Sequence, residues 1–265
     1  RWLEGLLLRL AGGPTGLSGH RSAVRFVALS DTHGYHRAVD LPDGEVLLFL
    51  GDAVGNYGRH SDLRGGLSAF FDWLAAQSKR FAQVFFIAGN HETLLDSSLG
   101  DASGLDLLRR FLDSAPKCRY LHNHGAEYRG LRLWGSPVTC SRVETEGKRY
   151  YSRGFERPRH ERRELWQQLP EGLDLLLTHG PPLGRLCSDK VGDELLKARL
   201  AEMAAPPRFH VFGHDHRFLG IDSTPRTIFL NVAQDEALRS DPRAGGCALV
   251  FDVEAKGVPG DGCAQ

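Results

Sequence analysis

Five short apolar runs recur along the chain, and each one stops abruptly at a polar or glycine-containing turn. Runs of four to six β-branched, aliphatic or aromatic residues between such turns are typical of strands buried on both faces. The pattern therefore predicts five buried strands. In order, the runs and their turns are "VRFVALSDTHG" (24–34), "VLLFLGDAVG" (46–55), "VFFIAGNHE" (84–92), "LDLLLTHGPP" (173–182) and "FHVFGHDH" (209–216).

Stretches with helical periodicity lie between these runs. In the first of them Leu67, Phe70, Phe71 and Leu74 recur at the spacing of one helix face. Strands that alternate with helices indicate crossover connections and a layered α/β architecture, in which loops at the carboxyl ends of the strands carry function. The helix candidates are "GLSAFFDWLAAQSKRFA" (66–82), "LDLLRRFLDS" (105–114) and "GDELLKARLAEMAA" (192–205).

Three further strand candidates are separated by loops without a long helix. They are "LRLWGSP" (131–137), "RTIFLNVA" (226–233) and "CALVFDV" (247–253). Such connections favour a second, more antiparallel sheet packed on the first. We predict one domain over residues 23–265, preceded at residues 1–22 by an arm or amphipathic helix.

Composition narrows the function classes. The chain has 33 Lys plus Arg against 33 Asp plus Glu, and this balance argues against a dedicated nucleic-acid or membrane surface. No apolar stretch approaches the roughly 18 residues needed to span a bilayer. The 5 cysteines include no C-x-x-C pair, which predicts reduced thiols and a cytoplasmic location. Organelle targeting stays open if residues 1–22 are a transit remnant.

A potential metal ligand follows every one of the five apolar runs. If the strands lie side by side in one sheet, their carboxyl ends converge on a single edge, and these side chains meet in one pocket. The set contains two carboxylates, one carboxamide and four imidazoles. Its members are Asp31, His33, Asp52, Asn90, His179, His214 and His216.

The chemistry of this set points to two metal ions. Imidazole and carboxylate together suit Zn, Fe or Mn, whereas all-oxygen sites favour Mg or Ca. The donors exceed what one ion can accept, and two ions bridged by a carboxylate would use them all. Such a pair lowers the pKa of a bridging water and holds phosphate oxygens for attack, which predicts phosphoester hydrolysis.

The residues also carry a family resemblance. The motifs D-x-H (Asp31, His33), G-D-x-x-G (51–55), G-N-H-E (89–92), T-H-G (178–180) and G-H-x-H (213–216) resemble, in order, the calcineurin-like metallophosphoesterase signature. The resemblance covers roughly residues 24–253. The wording of "SDTHG", "FDWL", "IAGNHE", "LLTHGPPLG" and "HVFG" is most similar to the small MPPED-type, class III cyclic nucleotide phosphodiesterase-like group.

This resemblance implies a two-sheet α/β/β/α sandwich with a dimetal site at the strand carboxyl ends. It implies a bridging and catalytic role for Asp52, and a His91 that protonates the leaving oxygen or holds the phosphate. Some animal members have glycine at the position of His214, so its presence here predicts a complete site. By resemblance, site 1 consists of Asp31, His33, Asp52 and His216, and site 2 of Asp52, Asn90, His179 and His214.

Two segments outside the motifs are candidates for substrate contact, together with Asn90 and His91. The loop at 55–66 offers Arg59. The segment at 141–164 has 8 Arg or Lys against 5 Glu and carries Tyr150 and Tyr151. It is either a solvated loop and helix start or a lid whose arginines and tyrosines meet a phosphorylated substrate.

The function predicted is hydrolysis of small phosphodiesters by a metal-bridging hydroxide, with cyclic nucleotides suggested by the resemblance alone. A phosphomonoesterase acting on nucleotides, sugar phosphates or phosphoproteins is the alternative, because the same dimetal chemistry serves both. A third alternative is a metal- or nucleotide-binding scaffold that has lost catalytic activity. The intact set of ligands argues against it. The expected cofactors are two divalent ions among Mn, Fe, Zn and Mg, with Mn favoured.

Overall fold

The computed structural model describes residues 23–55, 61–101, 103–148, 150–235, 238 and 246–255. The predicted arm at 1–22 and the candidate Arg59 lie outside these residues. The strands are β1 (Ala23–Leu29), β2 (Val39–Asp40), β3 (Val46–Leu50), β4 (Gln83–Ile87), β5 (Cys118–Tyr120), β6 (His124–Tyr128), β7 (Leu131–Ser136), β8 (Thr139–Cys140), β9 (Glu156–Arg157), β10 (Leu175–Thr178), β11 (Phe209–Phe212), β12 (Gly220–Ser223), β13 (Ile228–Asn231), β14 (Gly246–Cys247) and β15 (Leu249–Glu254). The helices are α1 (Leu63–Gln77), α2 (Gly104–Ser114), α3 (Arg142–Glu146), α4 (Arg159–Gln167) and α5 (Glu194–Glu202).

The first sheet has the strand order β15-β1-β3-β4-β5. Its strands β1, β3, β4 and β5 run parallel, and β15 joins β1 in antiparallel pairing. The parallel strands are joined by crossovers, two of which contain the helices α1 and α2. The carboxyl ends of β1, β3 and β4 therefore lie at one edge, where the D-x-H, G-D-x-x-G and G-N-H-E turns follow them.

The second sheet has the order β12-β13-β11-β10-β7-β6. Its four central strands are parallel, and only the edge strands β6 and β12 pair antiparallel. The second sheet is therefore more antiparallel than the first, as expected, but only at its two edges. The segment around β15 was misplaced, because it pairs with β1 in the first sheet instead of joining the second.

The five motif-bearing strands do not share one sheet. β1, β3 and β4 belong to the first sheet, whereas β10 and β11 form the centre of the second. The apolar pattern could not distinguish these arrangements, because a strand buried on both faces looks alike in either sheet. The turns still meet, because the two sheets pack face to face.

Side chains alternate between two hydrophobic layers along each central strand. In β1, Phe26 and Ala28 face the layer between the sheets, whereas Val27 and Leu29 face the helices α1 and α2. A third layer lies between the second sheet and the helices α4 and α5, around Trp166. The result is the expected α/β/β/α sandwich.

The helix α1 shows how local sequence sets an element. Asp62 caps its first turn by accepting a hydrogen bond from the backbone N–H of Gly65. Leu67, Phe70 and Leu74 are buried against the first sheet, as their spacing predicted. Among the described residues, no helix combines the length and the apolar character needed to cross a bilayer.

Candidate metal centre

Backbone hydrogen bonds join the turns that follow β1 and β3. The N–H of Asp31 donates to the carbonyl of Gly51 at 2.9 Å, and the N–H of His33 donates to that of Asp52 at 3.0 Å. Gly51 has a φ of 92°, which a residue with a side chain rarely adopts. The two turns therefore hold the first aspartate–histidine pair beside Asp52.

The turns of the two sheets are also bonded to each other. The carboxylate of Asp31 accepts a hydrogen bond of 3.0 Å from the backbone N–H of His214, and the hydroxyl of Ser30 donates to the same carboxylate. Gly213 N–H donates to the carbonyl of His179 at 3.1 Å. The contact between sheets therefore runs through the candidate ligands themselves.

Four candidate ligands have left-handed backbone conformations. Values of φ are 55° at Asp31, 42° at His33, 55° at Asp52 and 70° at His214. Such values are uncommon for residues other than glycine, and they concentrate at functional sites, where the surrounding structure holds the strained backbone in place. The turns are therefore built to aim these side chains inward.

The side chains form two adjoining clusters that share Asp52. In each cluster one potential ligand atom per residue lies within 4.8 Å of all the others. Asn90 adds its Oδ1, which lies 3.1 Å from Nε2 of His179 in the second cluster. These are the groups named above as site 1 and site 2. Cluster one is Asp31, His33, Asp52 and His216, and cluster two is Asp52, His179 and His214.

Hydrogen bonds at the outer ring nitrogens leave acceptors facing the centre. Nδ1 of His33 lies 3.2 Å from the carbonyl of Val54, and Nδ1 of His179 lies 2.7 Å from that of Leu50. Because a carbonyl only accepts, each Nδ1 carries the proton, and a neutral ring then directs its Nε2 lone pair inward. Histidines that hold a metal commonly have this outer hydrogen bond, so the donor set fits divalent cations.

The histidine nitrogens and carboxylate oxygens that face the centre lie so close together that a positive charge is needed among them. Nε2 of His179 lies 3.2 Å from Oδ2 of Asp52. Nε2 of His33 and Nε2 of His216 lie 3.3 Å apart, and the latter is 3.1 Å from Oδ1 of Asp31. Lone pairs at these separations repel unless a proton or a cation lies among them.

In the protein without bound metal, protons on His179 and His216 supply this positive charge. Burial alone would lower the pKa of both histidines, but nearby carboxylates raise the pKa of His179 to about 9 and that of His216 to about 10. The same pairing lowers the pKa of Asp31 to about 2 and that of Asp52 well below its usual range, against the opposing effect of burial.

Glu92 ties the β3 and β4 turns together. Its carboxylate accepts hydrogen bonds from the backbone N–H groups of Asp52 at 2.8 Å, Val54 at 3.0 Å and Gly89 at 2.6 Å. Burial first, and then the charge of Asp52, raises the pKa of Glu92 to about 7. Both carboxylate oxygens are thus engaged by the backbone, so Glu92 holds the neighbouring turns rather than a metal.

The close approach of these turns explains the glycine of the G-N-H-E motif. A Cβ at Gly89 would collide with Oδ1 of Asp52 and would lie 2.6 Å from Cε1 of His179. Only glycine leaves room here for a carboxylate of one sheet and an imidazole of the other. The Gly89 position therefore lies at the junction of the two clusters.

The candidate His91 lies beside the clusters but does not belong to either. Its Nε2 is 3.9 Å from Oδ2 of Asp52, and its backbone N–H donates to Oδ1 of the same residue at 2.8 Å. Burial lowers the pKa of His91 to about 4, although the charge of Asp52 opposes this. The ring is therefore neutral near pH 7 in the protein without substrate.

The segment with the candidate tyrosines runs next to Asn90. The Asn90 side-chain amide donates to the carbonyl of Ser152 at 3.0 Å, which directs its Oδ1 toward cluster two. The Asn90 carbonyl accepts the N–H of Gly154 at 2.8 Å. Tyr151 is 53% exposed, whereas Tyr150 is half-buried and donates to Glu146.

One functional candidate was missed by the sequence argument. Asp235 is buried, and its Oδ2 lies 3.0 Å from Nδ1 of His216. It orients that ring as the carbonyls orient His33 and His179. The signal was available, because Asp235 follows β13, whose carboxyl end lies at the same edge as that of β11.

A third group of potential metal ligands is already paired with an arginine. Cys140, Asp193 and Glu194 lie close enough to share an ion. Arg162, however, is buried among them, with its Nη1 2.6 Å from Oδ1 of Asp193 and 3.4 Å from Oε2 of Glu194. Trp166 donates to the other Asp193 oxygen at 2.8 Å. This cluster is a structural ion-pair network.

The chain is similar to known proteins over most of its length. A family model described as calcineurin-like phosphoesterase matches residues 24–218. The human metallophosphoesterase domain-containing protein 1 is 31% identical over 234 residues, which cover 79% of this chain and 65% of that protein. A Caenorhabditis elegans protein, UPF0046 protein C25E10.12, is 31% identical over 252 residues, covering 87% of this chain and 81% of the relative.

A solved structure shares the fold of this chain, although its sequence identity is lower than that of the relatives above. One crystal structure aligns with a TM-score of 0.60 and 14% identity, over 88% of this chain and 100% of the other. This likeness concerns the fold alone. The family-model match covers residues 24–218 and spans all five motifs, and the chain therefore belongs to the calcineurin-like phosphoesterase family.

Proposed function

We propose that the protein hydrolyses small phosphodiesters, with cyclic nucleotides as the first candidates. The observation that carries this proposal is the pair of clusters that share Asp52, in which acceptor atoms from both sheets converge. Such a centre suits two divalent ions, which supply Lewis acidity that offsets the charge of a phosphate and lowers the pKa of a water nucleophile.

The residues of the chain have distinct proposed roles. One ion would be held by Asp31, His33 and His216. The other would be held by Asn90, His179 and His214, and Asp52 would be a ligand of both. The outer partners of His33, His179 and His216 fix the direction of Nε2 in these three rings before any ion binds. Preorganisation of this kind reduces the cost of ordering the site when it binds charge.

His91 is proposed to act on the substrate. Its ring packs against His33 with centroids 4.4 Å apart, at the border of the metal cluster. A neutral imidazole there donates its N–H to a phosphate oxygen, and a protonated one delivers a proton to the leaving alcohol. Tyr150 and Tyr151 are proposed to flank the substrate, because their segment is bonded to Asn90.

The proposal is tested by turnover with bis-p-nitrophenyl phosphate, p-nitrophenyl phosphate and cyclic nucleotides, each with added Mn²⁺, Fe²⁺, Zn²⁺ or Mg²⁺. We expect hydrolysis of diesters, with Mn²⁺ the most effective ion. Asp52→Asn should remove it, because both clusters lose a shared carboxylate. Full activity in Asp52→Asn would contradict the proposal, and turnover of monoesters alone would favour a phosphatase.

We also propose a reducing, cytoplasmic compartment. Cys118, Cys140, Cys187 and Cys247 are free thiols within the described residues. Thiol counting on the denatured protein purified without reductant checks this proposal, together with fractionation of the source cells. A disulfide in that protein would argue for an oxidising compartment instead.

A further inference from the structure

Arg142 belongs to the segment that follows β8, and among the described residues its guanidinium has no carboxylate in ion-pair contact. It is the first residue of α3, and its backbone N–H donates to Oε2 of Glu156 at 3.2 Å. Within the described part of the chain, its guanidinium has no carboxylate oxygen inside the 4.0 Å of an ion pair. A half-buried arginine in this state is suited to bind an anion.

Tyr150 fixes the direction of this side chain. The Cζ atom of Arg142 lies 4.9 Å from the centroid of the Tyr150 ring, which is a cation–π contact. The Tyr150 hydroxyl donates to Oε2 of Glu146 at 2.7 Å. The arginine is thus held by an aromatic face, which leaves its positive charge available.

The chain on both sides of Arg142 and Tyr150 is attached to the metal centre. A Cβ at Gly180, next to His179, would lie 3.4 Å from Cα of Thr139, so the strand that leads to Arg142 passes beside cluster two. The residue two positions after Tyr150, Ser152, accepts the hydrogen bond of Asn90.

We infer that Arg142 is a substrate-binding residue that lets the site take dianionic phosphate groups, those of phosphate monoesters and of inorganic phosphate, with Tyr150 as its positioning residue. The inference rests on the proposed function. A monoester carries nearly two negative charges near pH 7, whereas a diester carries one. An additional fixed cation therefore favours the monoester more than the diester, and arginine matches phosphate oxygens in pairs.

Direct binding tests this inference without turnover. Titration of inorganic phosphate into the Mn²⁺-loaded protein, followed by calorimetry, should show binding that weakens about 10-fold or more in Arg142→Ala. Arg142→Lys should recover part of the loss, because it keeps the charge but not the paired geometry. Arg110→Ala is the matched control, because it removes an exposed arginine of α2, outside the segment 141–164.

Kinetics then separate the roles. In Arg142→Ala, KM for p-nitrophenyl phosphate should rise about 10-fold, with a smaller rise for bis-p-nitrophenyl phosphate and no loss of bound Mn by elemental analysis. Tyr150→Phe should have a smaller effect than Tyr150→Ala, since it keeps the aromatic face. Melting curves verify that each variant is folded.

Two results would overturn the inference: equal phosphate affinity in the wild type and Arg142→Ala, or no phosphate binding by the loaded wild type. Failure of the proposed function gives a different result. In that case the wild type binds phosphate through Arg142 but hydrolyses none of the esters.

Discussion

His214 and His216 are two positions apart, yet they serve different clusters. The left-handed backbone at His214 turns its side chain toward His179, with ring centroids 5.0 Å apart. His216 instead reaches Asp31 at 3.1 Å. One short turn of the second sheet therefore contributes to both halves of the proposed centre.

This division predicts a partial loss in His214→Ala. The variant should keep one bound ion and lose the second, because cluster one retains all its members. Loss of a ligand should weaken the second ion at least as much as loss of an outer partner does, which is about 10- to 100-fold. Elemental analysis after gel filtration measures the ratio of metal to protein. Two ions retained in His214→Ala would contradict the assignment, and His160→Ala is an exposed control.

Asp235→Asn tests the outer partner of His216. The amide keeps the shape but offers no negative charge to the Nδ1 proton, so His216 becomes a poorer ligand. Metal affinity should fall about 10- to 100-fold, with the fold retained. Competition with a fluorescent chelator measures the affinity. An unchanged affinity would limit Asp235 to a structural role.

The segment after β4 and the strand β9 are joined by an ion pair between the buried Asp96 and the half-buried Arg157. Asp96 accepts from Arg157 through both oxygens, at 2.9 and 3.0 Å, and from the backbone N–H of Phe155 at 2.6 Å. Although burial opposes it, this bonding lowers the pKa of Asp96 to about 2. The pair fastens the segment that holds Tyr150 to the first sheet.

Asp96→Asn should therefore destabilise the protein. Hydrogen bonds to a charged group contribute about 1.5–3 kcal/mol, and the amide keeps only part of them. Because the pKa of Asp96 is lowered on folding, its contribution is present above the ordinary pKa near 4 and is lost as the pH falls toward about 2. Urea denaturation at pH 7 and pH 3 measures the difference. An equal deficit at both pH values would contradict the ionic explanation.

β11 carries a buried histidine with a different role. Nε2 of His210 lies 2.8 Å from the hydroxyl of Thr178, which itself donates to the carbonyl of Gly180. Nε2 must therefore carry the proton, and Nδ1 is a buried acceptor that has no partner among the described residues. Burial lowers the pKa of His210 to about 3.

His210→Leu should reduce the loss of stability that the protein undergoes as the pH falls below about 6.5. Between about pH 6.5 and pH 3 the unfolded chain binds a proton at this histidine that the folded protein does not. The free energy of unfolding therefore decreases by up to about 1.4 kcal/mol for each pH unit by which the pH is lowered. The variant lacks this cost. Melting temperatures from pH 7 to pH 4.5 measure the slope, with His160→Leu as control. Identical slopes in His210→Leu and the wild type would contradict the prediction.

For the whole molecule, bound metal should add stability. A ligand at about 100 times its dissociation constant stabilises a protein by about 2.7 kcal/mol. In a protein of this size, that amounts to a rise in melting temperature of about 5 to 10 °C. Chelation should reverse it in the wild type and have no effect in Asp52→Asn, as measured by calorimetry. A chelator effect of equal size in both would place the ions elsewhere.

The sequence indicated which side chains meet at the strand ends, but not how the strands divide between the two sheets. Each candidate ligand was recognisable because it follows an apolar run, and that local order survives folding. The division of the runs between two sheets depends on pairing between distant strands, as in β15 with β1. The Asp96–Arg157 pair joins residues 61 positions apart, and no local pattern indicates it.

The split of the ligands between two sheets also has a consequence for biosynthesis. Asp31, His33, Asp52 and Asn90 follow strands of the first sheet, whereas His179, His214 and His216 follow strands of the second. A chain synthesised only as far as α4 contains neither site in full. The proposed centre can therefore be completed only after the second sheet has formed and docked on the first, and two ions bound there would mark a molecule that has finished folding.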